Sequence, residues 1–490
     1  MIQTPTIDWA ALAPELVLLA AAAIAMLFAV LVPKSLEKQL AAIVCALGFL
    51  GALIAAGVLY NHSADGHAVI AGAIQRDQLA ALAQMIIAAS GLLCVAVAYS
   101  GRGGWRHAGE FFALLASAGA GMIFLVAANN LLTLFLGLEW FSISLYILCA
   151  FDVDVVSSLE AGLKYLIVGS FGSAVLLFGS ALVYGTTGHL DFSGIASAGH
   201  TSDPLFTAGL ALIIAGLGFK ASAAPFHMWT PDVYEGAPTG VTAFMSAATK
   251  TAALVLMMRV LTTAFPDRAQ LWTIAVAVLA VASLAVGNLA ALVQRRVKRM
   301  LAYSSISQAG FMLIAIAAGN ALGGRALLYY LIVYAAMSIG AFAVVAARER
   351  ELGEPVTLDN LAGFGWERPF LGVAMWTFML GFAGLPLTGG FIAKFYAFSA
   401  AYERGWVWLI VVGVIATAVS LYYYFSVIRA MYMRPAAELQ LAPSGGSPPP
   451  ERLVQAAVAG ALVVTVGSFF AVQPLIDIAK DAASSLSFPF

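Results

Sequence analysis

The amino-acid sequence predicts an all-α polytopic membrane protein with about 14 transmembrane helices, and three observations carry that prediction. Of 490 residues, 62% are hydrophobic and 10% charged, against roughly 25% charged in an ordinary soluble domain. The mean hydropathy is +0.93, so a soluble fold of this chain would lack the polar residues to cover its surface. Apolar runs of about 20 residues, the length that crosses the hydrocarbon core of a bilayer, recur along the whole chain.

The runs are read at 10–32, 39–60, 77–99, 109–128, 130–150, 160–184, 204–229, 239–264, 270–293, 300–318, 323–347, 368–401, 405–431 and 453–477. Met1-Ile2-Gln3-Thr4 lacks the basic start of a secretory signal, so the first run is expected to remain as a span. Loops that follow odd-numbered runs hold fourteen Lys and Arg, and the other side holds five. Cytoplasmic loops retain positive charge, so the odd loops are expected in the cytoplasm and both termini outside. The segment Pro435 to Pro450 is low in complexity and reads as a flexible cytoplasmic connector.

Runs 4–8 and 9–13 make two sets of five, and an odd number of crossings would invert the second set relative to the first. The sequence echo between them is limited to a Lys beside helix breakers, Lys220 with Pro225 and Lys394 with Pro386 and Gly389-Gly390, and by itself leaves the inversion open.

Composition also excludes functions. Cys45, Cys94 and Cys149 lie inside apolar runs with no ligand-pair spacing, which excludes an iron–sulfur, zinc or disulfide framework within the chain. A formal net charge of −1 gives no basic excess for nucleic acid. The expected surroundings are lipid, water and protons.

Ionisable groups at bilayer depth are costly and mark ion paths, so depth decides which charges matter. At 1.5 Å per residue, Glu139 lies roughly 14 Å into the fifth run, and Lys220 and Lys250 lie near the middles of the seventh and eighth. Burial favours a neutral Lys and a nearby carboxylate favours a charged one; opposed, the two hold a group where it can both take and release a proton. A salt bridge locking two helices is the plainer reading of one such pair, but one Glu with three Lys favours a proton wire. Lys164, five residues into its run, can snorkel to the surface or pair with Glu160 one turn earlier. Arg259, near an outer end, reads as an interface anchor.

Pro225 removes an amide donor and breaks the seventh run at mid-membrane, which is tolerated where a helix lines a cavity. His227, two turns from Lys220 on a helix, falls on nearly the same face and could relay protons; a histidine bonded to a freed carbonyl is the alternative. Ser246 and Lys250 make a polar stripe one turn apart, and Tyr303-Ser304-Ser305-Ile306-Ser307-Gln308 supplies hydroxyls and an amide that could hold water. Interhelical packing by small polar residues explains them equally well. The cluster Arg295-Arg296-Val297-Lys298-Arg299 reads most simply as a topology signal or a contact for anionic lipid.

The stretch Pro225-Phe226-His227-Met228-Trp229-Thr230-Pro231-Asp232-Val233-Tyr234-Glu235-Gly236-Ala237-Pro238-Thr239 resembles the signature of the antiporter-like membrane subunits of proton-pumping NADH:quinone oxidoreductase, respiratory complex I. Supporting matches are Leu138-Glu139, Gly162-Leu163-Lys164-Tyr165, Gly218-Phe219-Lys220, Ala248-Thr249-Lys250, Lys298-Arg299-Met300-Leu301-Ala302-Tyr303-Ser304-Ser305-Ile306 and Gly390-Phe391-Ile392-Ala393-Lys394. Lys394, where a NuoM-like subunit usually has a carboxylate, and the length of 490 residues favour the subunit N (NuoN) branch.

The resemblance implies two inverted five-helix repeats with broken helices in spans 7 and 12. The implied organisation is three N-terminal helices (1–105), a first repeat (106–266), a second (267–434), a flexible cytoplasmic loop (435–452) and a last helix with the C-terminus (453–490). It also implies proton translocation through a buried axis, in which Glu139 tunes Lys220, Lys164 and His227 help protons reach it, Lys250 passes them on, and Lys394 is the terminal site. No cofactor is expected in this chain; FMN, iron–sulfur clusters and quinone would belong to partner subunits. The implied neighbours are NuoM-like and NuoK-like subunits in a bacterial inner (plasma) membrane, with both termini periplasmic. A multisubunit Mrp-type cation/proton antiporter is the alternative, and a passive structural spacer a third.

Overall fold

The computed structural model describes residues 7–101, 107–199, 203–434 and 452–490. The expected connector at 435–452, apart from Arg452, lies outside the described residues, as do Arg102 and Arg106 of the charge count.

The helices in chain order are α1 (Ala13–Leu31), α2 (Lys34–Asn61), α3 (Gln78–Tyr99), α4 (Ala108–Val126), α5 (Leu131–Cys149), α6 (Val156–Thr187), α7 (Phe192–Ser197), α8 (Pro204–Lys220), α9 (Thr230–Gly236) and α10 (Thr239–Phe244). A π turn at Met245–Thr249 joins α10 to α11 (Lys250–Ala264). Then follow α12 (Ala269–Leu292), α13 (Val297–Ala318), α14 (Ala321–Leu352), α15 (Phe364–Glu367), α16 (Pro369–Ala383), α17 (Gly389–Glu403), α18 (Val407–Met433), α19 (Arg452–Phe470) and α20 (Val472–Ala483). A short antiparallel hairpin, His67–Val69 with Ile74–Arg76, lies between α2 and α3.

Among the described residues, twelve helices are long and apolar enough to cross a membrane, counting Thr239–Ala264 as one. Two runs are interrupted, the two in which breaks are expected. The seventh stops being helical at Lys220 and resumes at Thr230, and the twelfth is interrupted between Ala383 and Gly389.

The loops sort into two ends. The loops that follow runs 3, 5, 7, 9 and 11 meet around one cavity, to which Gly101, Asp154, Glu235, Arg296 and Pro355 all contribute. At the opposite end the even-numbered loops bond to one another: Gln75 N donates to Ala127 O at 2.7 Å, and Leu131 N to Leu190 O at 3.0 Å. Asp8, paired with Arg76 at 2.9 Å, and Phe490, whose N donates to Gly319 O at 3.3 Å, lie with this second set.

Helix association in lipid depends on close packing by small residues rather than on the hydrophobic effect. A Cβ on Gly287 would stand 2.6 Å from Ser307 N, so α12 and α13 touch backbone to backbone there. A Cβ on Gly390 would stand 1.9 Å from Gly381 O, so the two halves of the twelfth run are pressed together beside their break.

Arg259 is not an interface anchor. It is 3% exposed and makes a bidentate pair with Asp77, Nη1 to Oδ2 at 2.6 Å and Nη2 to Oδ1 at 2.8 Å. Asp77 also caps α3 by accepting from Ala80 N at 2.8 Å, so the pair joins the N-terminal helices to α11. Removing one partner of such a pair leaves an uncompensated buried charge. Arg259→Leu is therefore expected to cost about 3–5 kcal/mol, seen as a lower thermal midpoint of the detergent-solubilised protein. Adding Asp77→Asn should recover part of the loss, and a single variant as heat-resistant as the parent would show that the pair holds nothing together.

Candidate functional site

The site grows from the break in the seventh run. Within a helix the amide of residue 225 would bond the carbonyl of residue 221, but Pro225 has no amide hydrogen. The chain leaves the helix after Lys220, and the end of α8 is then closed group by group. Ala221 N donates to Leu217 O at 2.9 Å, Ala223 N to Gly218 O at 2.8 Å, and Trp229 Nε1 to Phe219 O at 3.2 Å. The carbonyl that Pro225 would have left bare, Ala221 O, accepts from Lys250 Nζ at 3.1 Å.

Lys250 comes to that position directly after the π turn, which contains one extra residue per turn and so rotates the preceding segment. Ser246 therefore does not form the simple one-turn stripe with Lys250 that an α-helix would give; its Oγ accepts from Ser338 Oγ at 2.7 Å.

Lys220 is 3% exposed and donates to Ser142 Oγ at 2.6 Å, and Ser142 donates in turn to Leu138 O. The rings of Phe141, Tyr165 and Tyr146 surround the ammonium at 5.2, 5.6 and 5.7 Å, within cation–π range. Glu139 precedes Ser142 by less than one turn of α5, with one carboxylate oxygen, Oε1, buried and unpartnered. It makes no ion pair within 4 Å of Lys220 among the described residues. Its side chain sits at the edge of the stripe formed by Leu132, Leu136, Ile143 and Ile147, which are 49–55% exposed in the isolated chain. Depth along a helix, all that the sequence offered, does not report this sideways position.

The twelfth run repeats the chemistry. The chain turns out of α16 at Gly384, whose φ of +77° is left-handed and favours glycine. The exposed carbonyls are again taken by side chains: Gln308 Nε2 donates to Phe382 O at 2.9 Å, and Lys394 Nζ to Ala383 O at 3.2 Å. A Cβ on residue 384 would stand 2.7 Å from Lys394 Cδ, so the same glycine permits both the turn and the passage of the lysine stem. Lys394 is 4% exposed, with Phe311 centred 4.2 Å from its Nζ.

Between the two breaks lies a set of neutral polar side chains. Tyr334 Oη donates to Ser305 Oγ at 3.1 Å, Tyr330 Oη to Gln308 Oε1 at 2.5 Å, and Gln308 Nε2 to Tyr424 Oη at 3.1 Å. The serines and the glutamine of α13 thus bond directly to tyrosines. The sequence reading missed Tyr330, Tyr334 and Ser338 on α14. Their spacing of four residues within an apolar run was the available signal.

Three features have surroundings that the sequence did not reveal. Lys164 Nζ is 2.7 Å from both Glu160 Oε1 and Asp232 Oδ2, and its side chain is 42% exposed. His227 lies in the non-helical stretch, so the two-turn relation to Lys220 does not exist; its Nδ1 is buried without a partner. The basic cluster is also engaged within the fold. Arg299 pairs with Asp232 at 2.6 Å and Glu235 at 2.9 Å, Arg296 also pairs with Glu235, and Lys298 Nζ donates to Ala237 O at 2.8 Å. The carboxylates of the Pro-Asp-Val-Tyr-Glu-Gly stretch thus fasten α9 to α13 and, through Lys164, to α6.

A further buried carboxylate escaped the sequence reading. Glu15 of α1 is 3% exposed and accepts from Gln84 Nε2 at 3.3 Å. No group of three or more His, Cys, Asp or Glu that could hold a metal ion occurs among the described residues.

Comparison with known proteins agrees with this architecture. Residues 128–420 match the family described as NADH:quinone oxidoreductase/Mrp antiporter, TM. The chain is 42% identical over 440 residues to NADH-quinone oxidoreductase subunit N of Trichlorobacter lovleyi, covering 88% of this chain and 89% of that one. Among solved structures, a chain of respiratory complex I from Thermus thermophilus with bound aureothin superposes with a TM-score of 0.78 at 33% identity, covering 94% of this chain and 98% of that chain. A chain of the Mrp complex from Dietzia sp. superposes with a TM-score of 0.82 at 22% identity, covering 96% and 97%; at that identity the likeness shows the fold alone. With a bundle interrupted at two depths and buried lysines on the interruptions, the chain belongs to the antiporter-like transmembrane family of NADH:quinone oxidoreductase, as a subunit N of that proton-translocating complex.

Proposed function

We propose that Glu139, Lys220, Lys250 and Lys394 are the proton-carrying groups of this subunit, with Lys250 passing protons from the first break toward Lys394 at the second. The observation that carries this reading is the pair of lysine-to-carbonyl bonds, Lys250 to Ala221 and Lys394 to Ala383. Each ties an ionisable group to a helix break, so a change in its charge and a shift of the broken segment act on each other. The hydroxyls and amide of Ser338, Ser305, Tyr330, Tyr334 and Gln308 lie between the two lysines and can pass a proton by exchanging donor and acceptor roles. His227, with its free buried Nδ1, stands as a relay on the approach to Lys220. Lys164 is assigned instead to holding α9, through Asp232.

In the same reading the chain makes fourteen crossings, the twelve long helices plus the two interrupted runs. The five-helix units 106–266 and 267–434 are related by inversion, and the connector at 435–452 faces the cytoplasm. The charge distribution of the loops supports a cytoplasmic position for the end that holds the cavity and a periplasmic one for Asp8 and Phe490 in a bacterial inner membrane. NuoM-like and NuoK-like subunits are its neighbours, and FMN, iron–sulfur clusters and quinone are held by partner subunits. Moving one charge against 100 mV costs about 2.3 kcal/mol, which redox chemistry elsewhere in the complex supplies. The Mrp-type reading has the weaker support, since that likeness is one of fold while the relatives named subunit N extend over most of the chain.

Purification in mild detergent is expected to recover the chain with flavin and iron–sulfur subunits in an NADH-oxidising complex. Recovery without NADH oxidation, with ion-stimulated exchange, would favour the antiporter. In vesicles containing the whole complex, Lys220→Ala should lower proton pumping by at least roughly tenfold with assembly retained; full pumping would remove Lys220 from the path. Lys164→Ala should lower it less than about twofold, because exposed ion pairs are worth roughly 0–1 kcal/mol and Arg299 still holds Asp232. A loss as deep as that of Lys220→Ala would return Lys164 to the path.

A further inference from the structure

The cavity at the odd-loop end holds about 420 Å³, room for several water molecules. Among the described residues, Asp152, Asp154, Glu160, Asp232, Glu235 and Glu349 line it together with Lys164, Arg296, Lys298, Arg299 and His107. Carboxylates that meet cavity water can exchange protons with it.

Pairing and burial together single out one carboxylate of the cavity. Asp232, Glu235 and Glu160 are engaged by Lys164, Arg296 and Arg299 at the walls. Asp152 and Asp154 make no ion pair within 4 Å among the described residues, but Asp152 is half-buried and Asp154 exposed. Glu349 is buried. It is 7% exposed and belongs to the last turns of α14. Its Oε2 accepts from Thr239 Oγ1 at 2.5 Å, and Thr239 accepts from Lys298 Nζ at 3.1 Å. Its other oxygen, Oε1, is 3.9 Å from Lys298 Nζ, beyond hydrogen-bonding distance. One oxygen is thus held and the other left able to take a proton.

Position completes the case. Thr239 is the first residue of α10, which leads through the π turn to Lys250. Ser338, the partner of Ser246, precedes Glu349 by eleven residues on α14. Three turns return it to nearly the same face, roughly 16 Å deeper. The elements packed around Glu349 bring Lys298 from α13, Thr239 from α10, and the paired carboxylates and cations of α6, α9 and α13 already named.

We infer that the cavity is a proton-loading vestibule and that Glu349, held by Thr239 and Lys298, is the carboxylate that takes protons from its water on the way to Lys250. The step is one proton transfer: hydronium in the cavity gives H⁺ to Glu349 Oε1, an O–H bond forms, and neutral water remains. This rests on the pumping role proposed above and adds to it a place of uptake.

The test uses the whole complex in vesicles, with proton pumping followed by a pH dye while the pH on the cavity side is varied. Glu349→Gln keeps the shape and the acceptor for Thr239 but takes no proton. Uptake would then depend directly on hydronium, so the loss of pumping should deepen as pH rises, by up to about tenfold per unit. Glu349→Asp should keep the parent's profile. Thr239→Val, which leaves the carboxylate without its donor and so favours its protonated form, should shift the profile toward higher pH, opposite to Glu349→Gln. Parent-like pumping by Glu349→Gln at every pH would overturn the inference, as would a loss by the same factor at every pH, which marks a merely structural tie. Lys250→Ala run beside it separates the two readings: if it abolishes pumping while Glu349→Gln is silent, only the vestibule falls. If both variants pump fully, the proposed path falls with it.

Discussion

The rest of the structure depends on one constraint: a carbonyl inside a bilayer must find a donor, because no lipid group supplies one. A continuous helix meets it automatically. This chain breaks two of its helices at depth, and each break exposes carbonyls that side chains must reach. Trp229 and Lys250 serve the first, Gln308 and Lys394 the second. An ammonium that would be costly on a plain membrane helix is thereby given a fixed acceptor, and the break is given a charged cap at the negative end of a helix. The break supplies the ammonium with an acceptor and the lysine supplies the carbonyl with a donor.

From that pairing follows the arrangement around it. Gly384 is needed because the turn is left-handed and the stem of Lys394 crosses it; the π turn is needed because an uninterrupted α-helix would set Ser246 and Lys250 in a different phase. The ion pairs of Asp232 and Glu235 keep α9 seated where the seventh run resumes, and Asp77 with Arg259 keeps the N-terminal helices against α11. The bundle is continuous where carbonyls bond along their own helix and interrupted where side chains reach in to cap them.

Much of this was legible in the residues. A low charge content left the buried lysines conspicuous, and Pro225 and Gly389-Gly390 marked the interruptions within a few residues. What escaped the sequence was lateral direction. Glu139 could be assigned a depth but not its place at the edge of an apolar stripe, because depth is measured along one helix and exposure is set by several. His227 was misplaced for the same reason that the break was correctly expected: helical phase does not continue past the proline that ends the helix. The pairs that Lys298 and Arg299 make were not legible, because the carboxylates they meet lie more than fifty residues away. Tyr330, Tyr334 and Ser338 carried a readable spacing, but hydroxyls on aromatic rings pass for packing until their partners are in place.

Lys250 and Lys394 are bound to main-chain oxygens, Ala221 O and Ala383 O. A side-chain acceptor can be lost by a single codon change; a peptide carbonyl cannot, since every residue type carries one. The acceptor half of each contact is therefore indifferent to mutation at Ala221 and Ala383 as long as the chain leaves the helix there. Genetic vulnerability moves to the residues that make the chain leave, Pro225 and Gly384, neither of which carries a charge or a proton. In a subunit whose work is electrostatic, two of its most sensitive positions are electrically silent.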